Sequence, residues 1–329
     1  RCGHFSEAYE MVCRYGLEGL PVNLLLRLVG TSFQVYLSGR IGPKGIGLLQ
    51  LVLSVGSLSL VAGIGGVRTA AMYLTAEELG RNRRENVTHA LSACFVYSIL
   101  CSGCAALVLY RMAPWLADYW IGNAQTAGAL RLLAAFLPVT CLCCVMTGYF
   151  TAANRIETLA AVEVAEQLCS MGLTMLALKL WAGTSAVRAC LCVVLGSSLG
   201  SCLTLGCLVI LRQKEHPTAG TAPRIGKRLC RIALPLAAAD VLKAGISTAE
   251  NLMVPKRLAR NPAIANPLAS FGIVSGMTFP ILMFPACILF GLAELLIPEL
   301  ARCAAGSNEG RIRYLVRRSL KAALLYALV

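Results

Sequence analysis

The segment Ala189–Leu211, "ACLCVVLGSSLGSCLTLGCLVIL", decides the fold class of this chain. Its 23 residues include no Asp, Glu, Lys or Arg. Because about 20 apolar residues cross a hydrocarbon core about 30 Å thick, the segment predicts a membrane-spanning helix. Four more charge-free runs are long enough to do the same: Gly45–Val67, Asn86–Tyr110, Leu132–Asn154 and Asn261–Ala293.

Four less regular segments also predict spans, which brings the total to about nine helices. They are Leu20–Leu37, Thr158–Trp181, Ile232–Val254 and Ile312–Val329. The whole chain of 329 residues is 57% hydrophobic and only 14% charged, whereas a soluble domain carries about 25% charged residues. Long continuous apolar runs also exclude the alternating pattern of a membrane β-barrel. The sequence therefore predicts an all-α, polytopic membrane protein.

The net charge of +14 lies mostly between the predicted spans, so we do not interpret it as a nucleic-acid-binding surface. Lys and Arg concentrate in the even-numbered loops: Arg68–Arg84, Arg155, Arg212–Arg231 and Arg302–Arg318. Loops rich in Lys and Arg stay on the cytoplasmic side of a membrane. This distribution predicts a multi-pass membrane protein with a cytoplasmic amino terminus.

The longest polar interruption predicts two membrane lobes. We expect an amino-terminal lobe of six helices over residues 1–211, a basic cytoplasmic linker over residues 212–230 and part of a second lobe over residues 231–329. The chain starts without Met and ends in the apolar stretch "LKAALLYALV". These features predict a piece of a longer protein whose second lobe is incomplete.

Three predicted spans gather their polar residues on one stripe each, within arcs of about 80° to 100° at about 100° per residue. The first span carries Asn23, Arg27, Thr31 and Gln34; the fifth carries Glu163, Glu166 and Gln167; the seventh carries Asp240, Lys243, Ser247 and Glu250. One interpretation is hydrogen-bonded seams between helices. Another is that Asp240 and Lys243, three residues apart, neutralise each other. The interpretation we favour is a water-filled cavity, since charges inside a membrane usually face a cavity or a partner.

A cavity lined by Arg27 and Lys243 suits an anionic substrate, because Arg binds phosphate oxygens bidentately and Lys acts as a point charge. The carboxylates of the stripes suit a coupling ion, Na⁺ or H⁺. The sequence has neither a nucleophile–base arrangement nor a metal-ligand spacing, so we predict neither an enzyme, nor a metal site, nor a cofactor.

Several long motifs resemble the stage V sporulation protein B group. They include "LLRLVGTSFQVYLSGRIGPKGIGLLQL", "GIGGVRTAAMYLTAEELGRNRR" and "RIALPLAAADVLKAGISTAENLMVPKRL". This group is a polysaccharide-exporter and lipid-flippase branch of the MOP superfamily, beside the MurJ-type flippases and the MATE exporters. The resemblance implies a MATE/MurJ-like two-lobed bundle that moves an undecaprenyl-pyrophosphate-type lipid-linked glycan by alternating access, with the lipid tails in the bilayer.

The resemblance also implies a location in the bacterial cell membrane and a role in spore-cortex, peptidoglycan or cell-envelope assembly. In MurJ-type proteins the first span has an R-x-x-G stretch and then a second Arg that lines the cavity. Here Arg27 and Gly30 match the first part, but Phe33 and Gln34 stand where the second Arg would be. This departure leaves room for a lipid-linked glycan other than lipid II. The alternatives are a MATE-like cation-coupled multidrug antiporter and a membrane scaffold that transports nothing.

Overall fold

The computed structural model describes residues 3–81, 84–182, 185–213, 225–261, 266–282, 296, 300–301, 303–304 and 309–328. Every regular element in these ranges is helical. The elements are α1 (Gly3–Ile64), α2 (Val67–Gly80), α3 (Arg84–Trp115), α4 (Ala127–Ala152), α5 (Ile156–Ala177), α6 (Ala186–Gln213), α7 (Ile225–Leu258), α8 (Pro267–Ile273), α9 (Phe279–Leu282) and α10 (Glu309–Leu328). Single π-helical turns extend α3 and α5 and join α8 to α9.

Helix α1 is a hairpin of two membrane-length arms that are broken at Gly42. Gly42 has φ 75° and ψ 169°, a backbone conformation that glycine adopts readily because it lacks a Cβ atom. Gln34 lies eight residues before Gly42 and Gln50 eight residues after it, and both contact Gly276. The two arms must therefore fold back on each other, as the first and second predicted spans require.

Within the described residues, five helical segments are long and apolar enough to cross a membrane. They are Leu28–Gly80, Asn86–Ile121, Ala124–Ala152, Ile156–Trp181 and Ala186–Gln213. The first contains the second arm of the hairpin and the part of the first arm from Leu28 onwards, so these segments overlap predicted spans one to six. Helix α3 exposes Val96, Leu100 and Leu107 by 60% or more, and a bilayer is the environment in which such a helix face is stable.

The later spans are described less completely. Helix α7 has 34 residues, about 51 Å at 1.5 Å per residue, but it carries too many charges to count among the five apolar segments. The eighth predicted span is helical where it is described, and residues 262–265 and 283–293 lie outside the described residues. Helix α10 covers the ninth but is rich in Arg and is not among the five. The total of nine spans stays a prediction.

Two predicted connections differ in the structure. The predicted loop Arg68–Arg84 is mostly helix α2, because its apolar residues Ala70, Ala71 and Leu74 pack into the protein core. The predicted linker is helical at both ends, since α6 continues to Gln213 and α7 already begins at Ile225. Residues 214–224 of the linker lie outside the described residues.

Two hydrophobic clusters hold the second to sixth spans together and include residues of α7. One joins the second arm of α1 to α3, α4 and α6 and also contains Leu252 of α7. The other joins α2, α3 and α4 and contains Leu229 and Ala233 of α7. Cys141 and Cys190 are fully buried in the first cluster, where cysteine acts as a small apolar residue.

Candidate functional site

The polar stripe of the first span has two residues whose side chains are described, Thr31 and Gln34, and both lie where α1 contacts other helices. Gln34 Nε2 donates a hydrogen bond to the Gly276 carbonyl oxygen at 2.6 Å, which joins the first arm of α1 to the helix after α8. Thr31 is half-buried. For Asn23 and Arg27 the helix is described but the side chains are not, so their predicted role is not tested.

The stripe of the fifth span packs against neighbouring helices. Glu163, Glu166 and Gln167 are half-buried. Gln167 Nε2 lies 3.7 Å from the position that a Cβ atom on Gly30 would occupy, so α5 meets the first arm of α1 beside Thr31. The Ser201 hydroxyl of α6 donates to Glu166 Oε1 at 3.2 Å. The structure thus brings the first and fifth stripes together, and part of their polarity serves helix packing.

The stripe of α7 has different surroundings. Asp240, Lys243, Ser247 and Glu250 are all exposed. Among the described side chains none forms an ion pair with Asp240, Lys243 or Glu250. Asp240 and Lys243 therefore do not neutralise each other through a direct contact, although they are spaced to do so.

Polar residues beside the stripe attach α7 to the hairpin. Thr248 Oγ1 donates to the Ser54 carbonyl oxygen at 3.1 Å, and Asn251 Nδ2 donates to Ser54 Oγ at 3.0 Å. Thr248 is buried, whereas its neighbour Ser247 is exposed. Successive residues of a helix point about 100° apart, so the exposed stripe runs along the edge of the contact between α7 and the amino-terminal lobe.

The sequence alone did not reveal the residues that anchor the two ends of α7. Near its start, Arg228 binds the buried Glu77 of α2. Near its end, Lys256 Nζ donates to the Tyr119 carbonyl oxygen at 2.7 Å and lies 4.6 Å from the ring centroids of both Tyr119 and Trp120. The pair of acidic residues inside an otherwise basic segment is the feature of the sequence that could have drawn attention to Glu77. No feature of the sequence indicated that Lys256 contacts Tyr119, which lies 137 residues earlier in the chain.

Together these features define a class of protein. Membrane-length helices surround an apolar core, and one long helix carries exposed charges, without an ion pair to any described side chain, along the edge of its contact with the other helices. That is a polytopic membrane protein with a polar helix edge.

Comparison with known proteins places this class more closely. Residues 22–176 match the MatE family model. The chain is 19% identical over 320 residues to stage V sporulation protein B of Bacillus subtilis (strain 168), an alignment that covers 93% of this chain and 61% of that protein. The chain thus spans about three-fifths of the length of this curated relative.

Solved MATE structures show the same fold. The eukaryotic MATE transporter AtDTX14 superposes with a TM-score of 0.68 at 14% identity, over 96% of this chain and 69% of that one. A multidrug resistance MATE family transporter of the MOP superfamily, in an outward-facing conformation, gives 0.64 at 17% identity, over 94% and 69%. A MOP superfamily transporter from Pyrococcus furiosus gives 0.63 at 18% identity, over 94% and 67%. The chain therefore has the MATE fold, and its residues 22–176 match the MatE family model.

Proposed function

We propose that the protein moves a lipid-linked oligosaccharide or peptidoglycan precursor across the bacterial cell membrane by alternating access. The alignment with stage V sporulation protein B over most of the chain supports this assignment. The sugar and pyrophosphate groups would pass through the crevice beside α7, while the lipid tails stay in the bilayer. The basic even-numbered loops would face the cytoplasm.

One observation carries the proposal: Asp240, Lys243 and Glu250 are exposed on a membrane-length helix and form no ion pair within the part of the chain that the structure describes. A charge that faces hydrocarbon is costly, so we assign this side of α7 to a water-filled crevice. Lys243 suits the pyrophosphate because its ammonium group donates charge-assisted hydrogen bonds to phosphate oxygens. Arg27 is the predicted second contact, and the carboxylates would hold the basic groups or a coupling ion.

The test is transport by the purified protein in proteoliposomes, with a fluorescent undecaprenyl-pyrophosphate sugar as substrate. Lys243→Ala removes one charge-assisted contact worth about 1.5–3 kcal/mol, which corresponds to about 10- to 100-fold weaker binding. We expect transport at subsaturating substrate to fall by a similar factor. Lys227→Ala is the matched control, because Lys227 is also exposed on α7 but lies outside the stripe. Equal rates for both variants would contradict the role of Lys243.

A cation-coupled multidrug antiporter is the second candidate. The MatE match and the exposed carboxylates Asp240 and Glu250 favour it, since carboxylates bind organic cations, Na⁺ or H⁺. In the same proteoliposomes, this function predicts ethidium uptake driven by a Na⁺ or proton gradient and abolished by Glu250→Gln. Uptake of ethidium without movement of the lipid would select the antiporter. A protein that moves neither molecule would be the scaffold.

A further inference from the structure

Two adjacent carboxylates of α2 are buried and held by arginines. The side chains of Glu77 and Glu78 are 8% and 7% exposed. Arg81 Nη2 lies 2.8 Å from Glu77 Oε1, and Arg228 Nη2 lies 2.5 Å from Glu77 Oε2. Arg228 Nη1 is 3.7 Å from Glu78 Oε1, and Asn86 Nδ2 donates to Glu78 Oε2 at 3.2 Å. We name Glu77, Glu78, Arg81 and Arg228 the carboxylate cluster.

The carboxylate cluster joins two parts of the molecule that are far apart in sequence. Arg228 lies in the first turns of α7, 151 residues after Glu77. A Cβ atom on Gly66, directly before α2, would lie 2.6 Å from the Ala233 carbonyl oxygen and 3.1 Å from Ala237 N. As α2 runs from residue 66 to residue 77, its contacts on α7 run from residue 237 back to residue 228. The two helices are therefore antiparallel, and the cluster fastens the first turns of α7.

The electrostatics of the carboxylate cluster suit a contact that opens and closes. Buried carboxylates require cationic partners, because desolvating an unpaired charge is costly. The arginines, however, reach the solvent: the side chains of Arg228 and Arg81 are 41% and 43% exposed. If α7 moves away from α2, water can reach the carboxylates as well as the arginines, so opening does not leave an isolated charge in an apolar environment.

The opposite end of α7 is also attached to the amino-terminal lobe. Lys256 hydrogen-bonds to Tyr119 and lies over two aromatic rings. Alternating access requires the two ends of a crevice to open in turn. If both ends of α7 stayed attached, the crevice beside the stripe would not open towards the side where α2 lies.

We propose that the carboxylate cluster is a gate, which closes the crevice between α7 and the amino-terminal lobe at the end predicted to be cytoplasmic and separates when that end opens. The gate rests on the proposed alternating-access function. It assigns Glu77, Glu78 and Arg228 a conformational role rather than contact with the substrate.

Cys230 is a native reporter for this gate. It lies two residues after Arg228 and is half-buried. In lipid nanodiscs, its alkylation by N-ethylmaleimide is measured by peptide mass spectrometry, with the buried Cys94 of α3 as the internal reference. The double variant Glu77→Gln/Glu78→Gln weakens the gate, and Lys227→Gln is the matched control beside Arg228.

We expect the double variant to raise the alkylation rate of Cys230 about tenfold or more, as for the loss of a charge-assisted hydrogen bond. Cys94 in this variant, and Cys230 in Lys227→Gln, should react as in the unmodified protein. If the double variant fails to fold, Arg228→Gln provides the same test and keeps both carboxylates beside Arg81. An unchanged Cys230 rate would overturn the gate. An equal rise at Cys94 would also overturn it, because the carboxylate cluster would then stabilise the whole fold and not one end of α7.

The alkylation experiment needs no substrate, so its result is independent of the transport assay. A gated protein that does not transport the lipid-linked sugar would refute the proposed function alone. A protein that transports the lipid but whose Cys230 is unaffected would refute the gate alone.

Discussion

The substitution Gly272→Ala should loosen the packing between the α1 hairpin and α8. A Cβ atom on Gly272 would lie 2.3 Å from the Pro43 carbonyl oxygen and 2.7 Å from Gly47 N. Both are backbone atoms, so no side-chain rotation can relieve the contact. Gly276, one helical turn further, would place a Cβ atom 2.4 Å from Ile46 Cγ2. Glycines four residues apart allow two membrane helices to approach closely.

The cost follows from these distances. Ordinary van der Waals contact of a Cβ atom begins at 3.4 Å, so the helices must separate by about 1 Å to accept the methyl group, and such overpacking costs about 1–3 kcal/mol. Removing a glycine from a helix returns about 0.5–1 kcal/mol. The control Gly172→Ala in α5 gains that same amount, but its Cβ atom would meet nothing within 4 Å. The difference between the two variants therefore isolates the steric cost.

The measurement is thermal unfolding in detergent, followed by intrinsic fluorescence. One kcal/mol shifts the midpoint by roughly 2–4 °C in a domain of 150–250 residues, so Gly272→Ala should unfold several degrees below Gly172→Ala. Identical midpoints would refute the close approach of α8 to the hairpin.

Two polar contacts give further predictions. Lys256→Gln should lower the unfolding midpoint, because it removes a cation near two aromatic rings and a hydrogen bond to Tyr119, together worth about 1–2 kcal/mol. The control Arg257→Gln, at the exposed neighbouring position, should have little effect. Equal shifts in the two variants would contradict the aromatic contact. Gln34→Leu removes the hydrogen bond to Gly276 and should cost about 1–3 kcal/mol in the same assay. No loss of stability in Gln34→Leu would mean that this hydrogen bond does not hold the helices together.

The sequence predicted the membrane helices well where length and lack of charge are sufficient. The run Ala189–Leu211 lies inside α6, Ala186–Gln213, which is long and apolar enough to cross a membrane. Length and lack of charge are properties of the local sequence alone.

Tertiary partners could not be predicted in the same way. Helical phase grouped Gln34 with Arg27, but the partner of Gln34 lies 242 residues later. Glu77 and Glu78 were counted within a charged loop, whereas the structure buries both in a helix against α7. Burial and pairing of charges depend on which helices meet, and periodicity within one helix does not contain that information.

The central claim is that the α7 stripe lines an aqueous path. Two single-cysteine variants at adjacent positions of α7 test it most directly. Ser247 and Ile246 are both exposed, but they point about 100° apart on the helix, and only Ser247 belongs to the stripe. Each is replaced by Cys, and a charged, membrane-impermeant thiol reagent is applied to the protein in nanodiscs, with modification read by peptide mass spectrometry. Thiols react as thiolates, which require water, so we predict rapid modification of Ser247→Cys and slow modification of Ile246→Cys. Equal rates, or faster reaction at position 246, would contradict an aqueous path along the stripe.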